Sequence, residues 1–179
     1  MKRGIALLTV LIVLGLLAGC SSKSVVFDYS ENADFTQYRT FKYEPTNTTL
    51  EAQNQLVHTR IVEALRRELT AAGLTEDDQD PDIYVSYYGS TSEEIRLNTT
   101  YMGYNSWSSR HRHSMGMASS TTTATTLTTG TLLIDIWDAR ESVLIWRGEV
   151  SDSLSGDPGR DADRINRGVE SVLSNFPPR

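Results

Sequence analysis

Thr131-Leu132-Leu133-Ile134-Asp135-Ile136-Trp137 alternates without a break: Leu132, Ile134 and Ile136 on one side, Leu133, Asp135 and Trp137 on the other. A two-residue period with one apolar side is the pattern of a strand whose one face is buried. Asp138-Ala139-Arg140-Glu141 is a polar turn, and Val143 to Val150 returns as a partner strand. Together they predict an antiparallel hairpin. Upstream, Ser119 to Thr131 holds eight threonines in thirteen residues. Threonine favours extended backbone, so this stretch reads as a strand or β-arm rather than a linker.

Further out, Ile83 to Tyr88 is a strand that Gly89 is expected to end, with a weaker strand from Glu93 to Thr100. Val25–Tyr29 and Tyr38–Tyr43 are short strands on aromatic and β-branched content. Between them and Ile83, Val57, Ile61, Ala64, Leu65, Leu69 and Ala72 recur at three- and four-residue spacing. That stripe predicts a helix between Glu51 and Ala72, capped by Thr48 or Thr49 and closed by Gly73. Ser155 to Arg160 reads as a loop, and Ile165, Val169, Val172, Leu173 and Phe176 mark a last helix from about Asp161 to Asn175. Two helices with one apolar face each, and strands that mostly alternate, fit an α+β two-layer sandwich. Its mostly antiparallel sheet would carry both helices on one face.

The chain has 179 residues, 39% hydrophobic and 22% charged, enough for one domain with a packed core. A net charge of −6 argues against a nucleic-acid binder, and the single cysteine excludes a disulfide framework or multi-cysteine metal site. That cysteine ends an N-terminal sequence of basic Lys2-Arg3, apolar Ile5 to Leu17, then Ala18-Gly19-Cys20. This is the order of a secretory signal, too short for a comfortable membrane span. Leu17-Ala18-Gly19-Cys20 resembles the lipobox of bacterial lipoproteins in all four positions. The resemblance implies cleavage between Gly19 and Cys20 and acylation of the new terminus. The acyl chains then make a firm membrane anchor. Cleavage would leave 160 residues with a net charge of −8. No aspartate follows Cys20, so the same resemblance implies the outer membrane, facing the periplasm.

The exported part resembles the bacterial envelope lipoproteins of domain-of-unknown-function family 4136. The residues that carry the likeness are Phe27-Asp28-Tyr29, Asp34 to Phe41, Leu69 to Leu74, Asp80 to Tyr87, Gly130 to Asp135, Leu144 to Gly148 and Val169 to Pro178. The implied organisation is a signal peptide over 1–19 and a tether over 20–24. A single α+β domain over 25–179 follows, with a variable insertion or β-arm at about 98–130. The resemblance implies a location and a domain type, and no activity.

Several constellations invite a chemical reading. Asp80-Pro81-Asp82 places two carboxylates at a strand entrance, suited to calcium or acid–base work, or to capping backbone amides in a turn. The turn is expected, because no ordered series of further oxygen ligands follows. Asp135 faces Arg147 or Glu149 in some hairpin registers, as a catalytic acid or, as expected, an ion pair. His111 and His113 flank Arg112 near Met115 and Met117, a copper or zinc pattern without a third ligand nearby; His58 sits on a separate helix. Trp137 and Trp146 are expected in the core. No catalytic residue, metal or cofactor is assigned.

The region Tyr101 to Ser120 shows no regular period, and Tyr101, Met102, Tyr104, Trp107, Met115 and Met117 cluster there. Clustered aromatics and methionines on a loop mark a contact surface, so these six residues are the expected partner contacts. Three functions follow in order of expectation. The first is a lipid-anchored interaction or envelope-maintenance module without catalysis, meeting the membrane through Cys20 and an envelope protein partner or lipid. The second binds an apolar or lipidic ligand between sheet and helices, lined by Ile83, Val85, Ile134 and Trp146. The third is an enzyme on envelope substrates using Asp28, Asp82 or Asp135. Nothing in the sequence indicates an oligomeric state.

Overall fold

The computed structural model describes residues 24–46, 54–103 and 118–178. In chain order the elements are β1 (Ser24–Tyr29), a 3-10 turn (Phe35–Gln37), β2 (Thr40–Tyr43), α1 (Gln55–Ala71) and β3 (Thr75–Glu76). Then come β4 (Ile83–Gly103), β5 (Ala118–Asp138), β6 (Leu144–Leu154) and α2 (Pro158–Leu173). They form one six-stranded sheet in the order β1-β6-β5-β4-β2-β3. Its pairs are antiparallel except β2, which runs parallel to both β3 and β4. The expected α+β two-layer sandwich is what the chain forms.

The hairpin read from Thr131 to Val150 is the centre of that sheet. Ile134 and Ile136 are fully buried, and Tyr87, Val85 and Ile83 continue the same face on β4. Trp146 and Val150 extend it on β6. Against this face α1 packs Ile61, Ala64, Leu65 and Leu69, and α2 packs Val169, Val172 and Leu173. Trp146 meets Phe176 edge-on at 5.6 Å. Trp137 instead lies half-buried opposite Tyr84, on the strand face that alternation turns away from the helices.

Local signals explain where the helices begin and end. Asn54 Oδ1 accepts the Val57 amide at 3.2 Å and caps α1. The cap is therefore Asn54; Thr48 and Thr49 lie outside the described residues. Gly73, at φ +95°, follows the last turn, and the Leu74 and Gly73 amides return to the Leu69 and Thr70 carbonyls at 3.1 and 3.0 Å. This is a Schellman closure, which needs the left-handed conformation glycine accepts. The last helix starts earlier than expected, at Pro158, inside the stretch read as a loop. Proline at the first helical position has no amide to lose, and Asp157 caps the Arg160 amide at 2.9 Å.

Gly89 does not end its strand. β4 runs unbroken to Gly103, paired residue by residue with β5 from Ile83↔Asp138 to Gly103↔Ala118. Glycine weakens a strand locally, but a long β-prone partner with continuous ladder bonds outweighs one weak position. For the same reason the aperiodic stretch read from Tyr101 to Ser120 is shorter, because the strands occupy its first three residues and its last three.

Candidate functional site

The unequal lengths of the strands create the most distinctive feature. β6 covers β5 only from Thr128 to Trp137, and β2 covers β4 only from Ile83 to Val85. Beyond those limits residues 94–103 and 118–127 pair only with each other among the described residues. Ten residue pairs at about 3.3 Å each make a two-stranded arm roughly 33 Å long. Isolated two-stranded ribbons are marginal in water, so this arm depends on the sheet it grows from.

Strand alternation divides the arm into two unlike faces. Because Tyr87 faces the helices and the register is unbroken, Ile95, Leu97, Thr99 and Tyr101 share the helix-side face. Opposite them stand Thr126, Ala124, Thr122 and Ser120. That face carries no charge among the described residues of the arm. Ile95 is 68% and Leu97 67% exposed, and Tyr101 is exposed further out. The other face holds the Glu94–Arg96 pair at 3.3 Å, Asn98, Thr100 and exposed Met102. Thr99 and Thr122 share a hydroxyl hydrogen bond of 3.0 Å across the strands, which ties the register at mid-arm. Of the six expected contact residues, Tyr101 and Met102 are described, and both are exposed on the arm. Tyr104, Trp107, Met115 and Met117 lie outside the described residues, as do His111, His113, Gly19 and Cys20.

At the foot of the arm a half-open groove of about 700 Å³ separates the two helix starts. Leu56, Val57, Leu132, Leu154 and Ile165 give it apolar walls, and Gly89 and Gly130 lie on its floor, the Leu154 side chain packing over Gly130. Arg60 stands at its edge with no acceptor among the described residues, whereas Arg164 is held by Asp161 at 3.1 Å. The ligand space expected from the sequence lies elsewhere. Ile83, Val85, Ile134 and Trp146 are at most 1% exposed and packed together, so they line no cavity. Large side chains on facing layers interdigitate and fill that space.

Asp82 and Asp135, two of the carboxylates singled out by sequence, are each engaged within the fold. Asp82 Oδ2 accepts the Arg39 and Thr40 amides at 2.8 and 3.1 Å, and Arg140 approaches Oδ1 at 3.3 Å. The Arg39 amide, aided by Thr40 and Arg140, holds the Asp82 carboxyl below its ordinary range despite some burial. Asp82 thus staples β2 to the entrance of β4, and the neighbouring turn is organised by Asp77, which accepts the Gln79 and Asp80 amides. Asp135, 1% exposed, accepts both Arg147 nitrogens at 2.6 Å in a forked ion pair. That bond raises the Arg147 pKa above its ordinary value. The hairpin register chooses Arg147, not Glu149, as partner.

Two pairings were not legible from sequence, because each joins residues far apart in the chain. The Tyr38 hydroxyl donates to buried Asp138 Oδ2 at 2.8 Å across a hundred positions. Burial, with that carboxylate beside it, pushes Tyr38 up to about 12. Burial also pushes Asp138 up, but the Glu141 and Arg140 amides and the Tyr38 hydroxyl outweigh it, so its pKa lies below the ordinary value. His58 Nδ1 and the buried Tyr87 hydroxyl lie 2.8 Å apart. Among the described residues no group of three or more metal-ligating side chains converges.

A family model described as a domain of unknown function (DUF4136) matches residues 25–178. No curated protein matches the chain by sequence. Among solved structures, a PDZ domain protein from Parabacteroides distasonis ATCC 8503 superposes with a TM-score of 0.57 at 19% identity. The superposition covers 88% of this chain and 36% of that one, so this chain spans about a third of that protein. A PelC dodecamer structure from Paraburkholderia phytofirmans gives a TM-score of 0.49 at 12% identity, covering 88% of this chain and 99% of that one. At such identities the first likeness is one of fold.

Proposed function

The chain belongs to the DUF4136 family, and from that footing we propose that it is a lipid-anchored envelope module without catalysis of its own, working through its β-arm. The arm is the observation that carries this reading. Among the described residues ten residue pairs project beyond every covering strand, exposing Ile95, Leu97 and Tyr101 on one face and Met102 on the other. Clustered exposed apolar side chains are what a contact element presents. The anchor is supported by Leu17-Ala18-Gly19-Cys20 and by the basic and apolar segments before it. Anchorage at the outer membrane, facing the periplasm, follows the same reading. The engagement of Asp82 and Asp135 by arginines and amides supports a scaffold role for both.

In-cell photo-crosslinking tests the proposal. A photoreactive residue at Leu97 or Tyr101 should give adducts with another envelope component, protein or lipid, that one at exposed Glu63 on α1 does not. Equal adduct yields at the arm and at Glu63 would remove the arm from the function. Labelling with radioactive palmitate should be lost in Cys20→Ser, and its retention there would remove the anchor.

The groove favours a second reading, the binding of an apolar or lipidic ligand. About 700 Å³ with apolar walls lies within the size range of small-molecule sites. Native mass spectrometry of gently purified protein should then show an adduct that Ile165→Trp, which fills the groove, abolishes.

A further inference from the structure

With Cys20 as the acylated terminus only four residues lead to Ser24, and the register shows where β1 begins. Ser24 pairs with Ser151, Ser151 with Thr131, and Thr131 with Ser90. Ser24 therefore lies three residue pairs before the last covered pair, Glu93–Thr128, at the end of the sheet from which β4 and β5 leave. The tether and the arm depart from the same end of the domain. Cys20 is four residues from Ser24, a reach of at most about 14 Å for an extended chain. From the Ser24 level β4 continues for thirteen residues to Gly103, or roughly 43 Å, the last ten of them in the arm. A lipid carried by Cys20 holds the domain so close to the bilayer that the arm, if upright, would pass well beyond the membrane surface.

Upright insertion is excluded by the arm's own backbone. Among the described residues no strand pairs with either outer edge of the ribbon, and open sheet edges do not occur in the hydrocarbon region. Lying along the interface keeps those edges within reach of water and headgroups while the short tether holds the domain at the surface. Its two faces are not equivalent there. Within the arm the helix-side face brings Ile95, Leu97 and Tyr101 with uncharged Thr99, Ser120, Thr122, Ala124 and Thr126, and Glu93 stands at its foot; the other face carries Glu94, Arg96 and Asn98 together with Leu127, Thr100 and Met102. An amphipathic element at a membrane buries its apolar side and keeps its charges in water. Tyrosine suits that depth, with its ring among the upper acyl segments and its hydroxyl among headgroups.

We infer that the helix-side face of the arm, through Ile95, Leu97 and Tyr101, docks on the surface of the bilayer that holds the anchor. This rests on the lipid-anchor reading and names the partner of the arm as lipid. Docking orients the domain, with the groove, on the arm's helix-side flank, turned toward the headgroups.

Full-length lipidated protein reconstituted into vesicles of phosphatidylethanolamine with a minority of phosphatidylglycerol tests this. Leu97→Cys and Tyr101→Cys each supply a thiol for an environment-sensitive fluorophore, since the native cysteine is consumed by the lipid. Asn98→Cys and Thr100→Cys report the opposite face. A spin label near the head of the acyl chain should quench the probe at 97 and 101 several-fold more than at 98 and 100. The difference should shrink when a long glycine-serine spacer is inserted between Cys20 and Ser24. Protein that does not float with vesicles overturns the anchor itself. Protein that floats with unquenched probes at 97 and 101, or with equal quenching on both faces, overturns docking and leaves the anchor standing. Protein adducts rather than lipid adducts at Leu97 in cells would assign that face to a protein and also overturn it.

Discussion

Gly148 should tolerate no side chain at all. It lies on β6 between Trp146 and α2, and a Cβ placed there would stand 2.3 Å from Trp146 Cη2 and 2.4 Å from Val172 Cγ1. Carbon atoms in ordinary contact sit about 3.5–4.0 Å apart, so each neighbour would have to retreat by more than an ångström. Neither can do so freely: Trp146 is 1% exposed and Val172 fully buried, each in the closed core. Overpacking typically costs about 1–3 kcal/mol, and two immobile neighbours place this site at the upper end. Replacing a strand glycine recovers about 0.5–1 kcal/mol of backbone entropy. Gly148→Ala should therefore lose about 2 kcal/mol net. For a domain of this size that is roughly 4–8 °C in Tm. Thermal unfolding followed by circular dichroism measures it, and urea titration gives the free energy. Trimming Val172 to alanine in the same chain should return part of the loss, as a coupling of about 1 kcal/mol in a double-mutant cycle. A midpoint within a degree of wild type, or strict additivity of the two changes, would show that β6 and α2 are not packed as described.

Arg147→Ala leaves the Asp135 carboxylate in a 1% exposed site without its cation, and should cost about 3 kcal/mol in urea unfolding. The double replacement Asp135→Leu with Arg147→Met should lie much closer to wild type, and a double variant as unstable as the single one would argue against an ion-pair role. Asp82 and Asp138 have depressed folded-state pKa values, so their contribution is present above the unfolded value of about 3.9 and is lost as pH falls through the lower folded one. Asp82→Asn should accordingly be destabilised at pH 7, with the gap to wild type closing only below about pH 4; a gap that closes near pH 6 would contradict it. Tyr38, raised to about 12, works in the opposite direction: stability is complete below the unfolded tyrosine value of about 10 and declines as pH rises toward 12. Tyr38→Phe should flatten that alkaline decline, as read by melting midpoints across the range. Leu97→Ser on the arm should shift stability by no more than about 0.5 kcal/mol, because Leu97 is 67% exposed. A larger loss would mean that the arm is packed against the domain.

Elements whose signal is local were legible from the residues themselves. The alternation from Leu132 to Trp137, the stripe from Ile61 to Leu69 and Gly73 at the helix end each act within a few positions, and each lies where expected. The threonine-rich stretch was read as extended for a like reason, since β-branching constrains its own backbone. The errors fall where a distant partner decides. Gly89 reads as a strand end by itself, but Leu132 across the ladder carries the strand through it. Pro158 is the exception: the signal there is local, with Asp157 beside it capping the helix, and reading the Gly-Pro-Gly composition as a loop passes over it. His58 and Tyr38 carry no local mark of the groups that hold them.

Sequence alone determined the kinds of element, the two-layer pairing of one apolar face with another, and Cys20 as the one thiol available to a lipid. Tertiary structure decided where strands stop being covered, and hence that β4 and β5 outrun β6 and β2 as an arm beside the start of β1. It also decided that open space lies between the helix starts rather than beneath Trp146. The division has a physical cause. Side-chain periodicity is written along the chain, whereas register and coverage depend on which strands meet and at what offset, and no single strand carries that information.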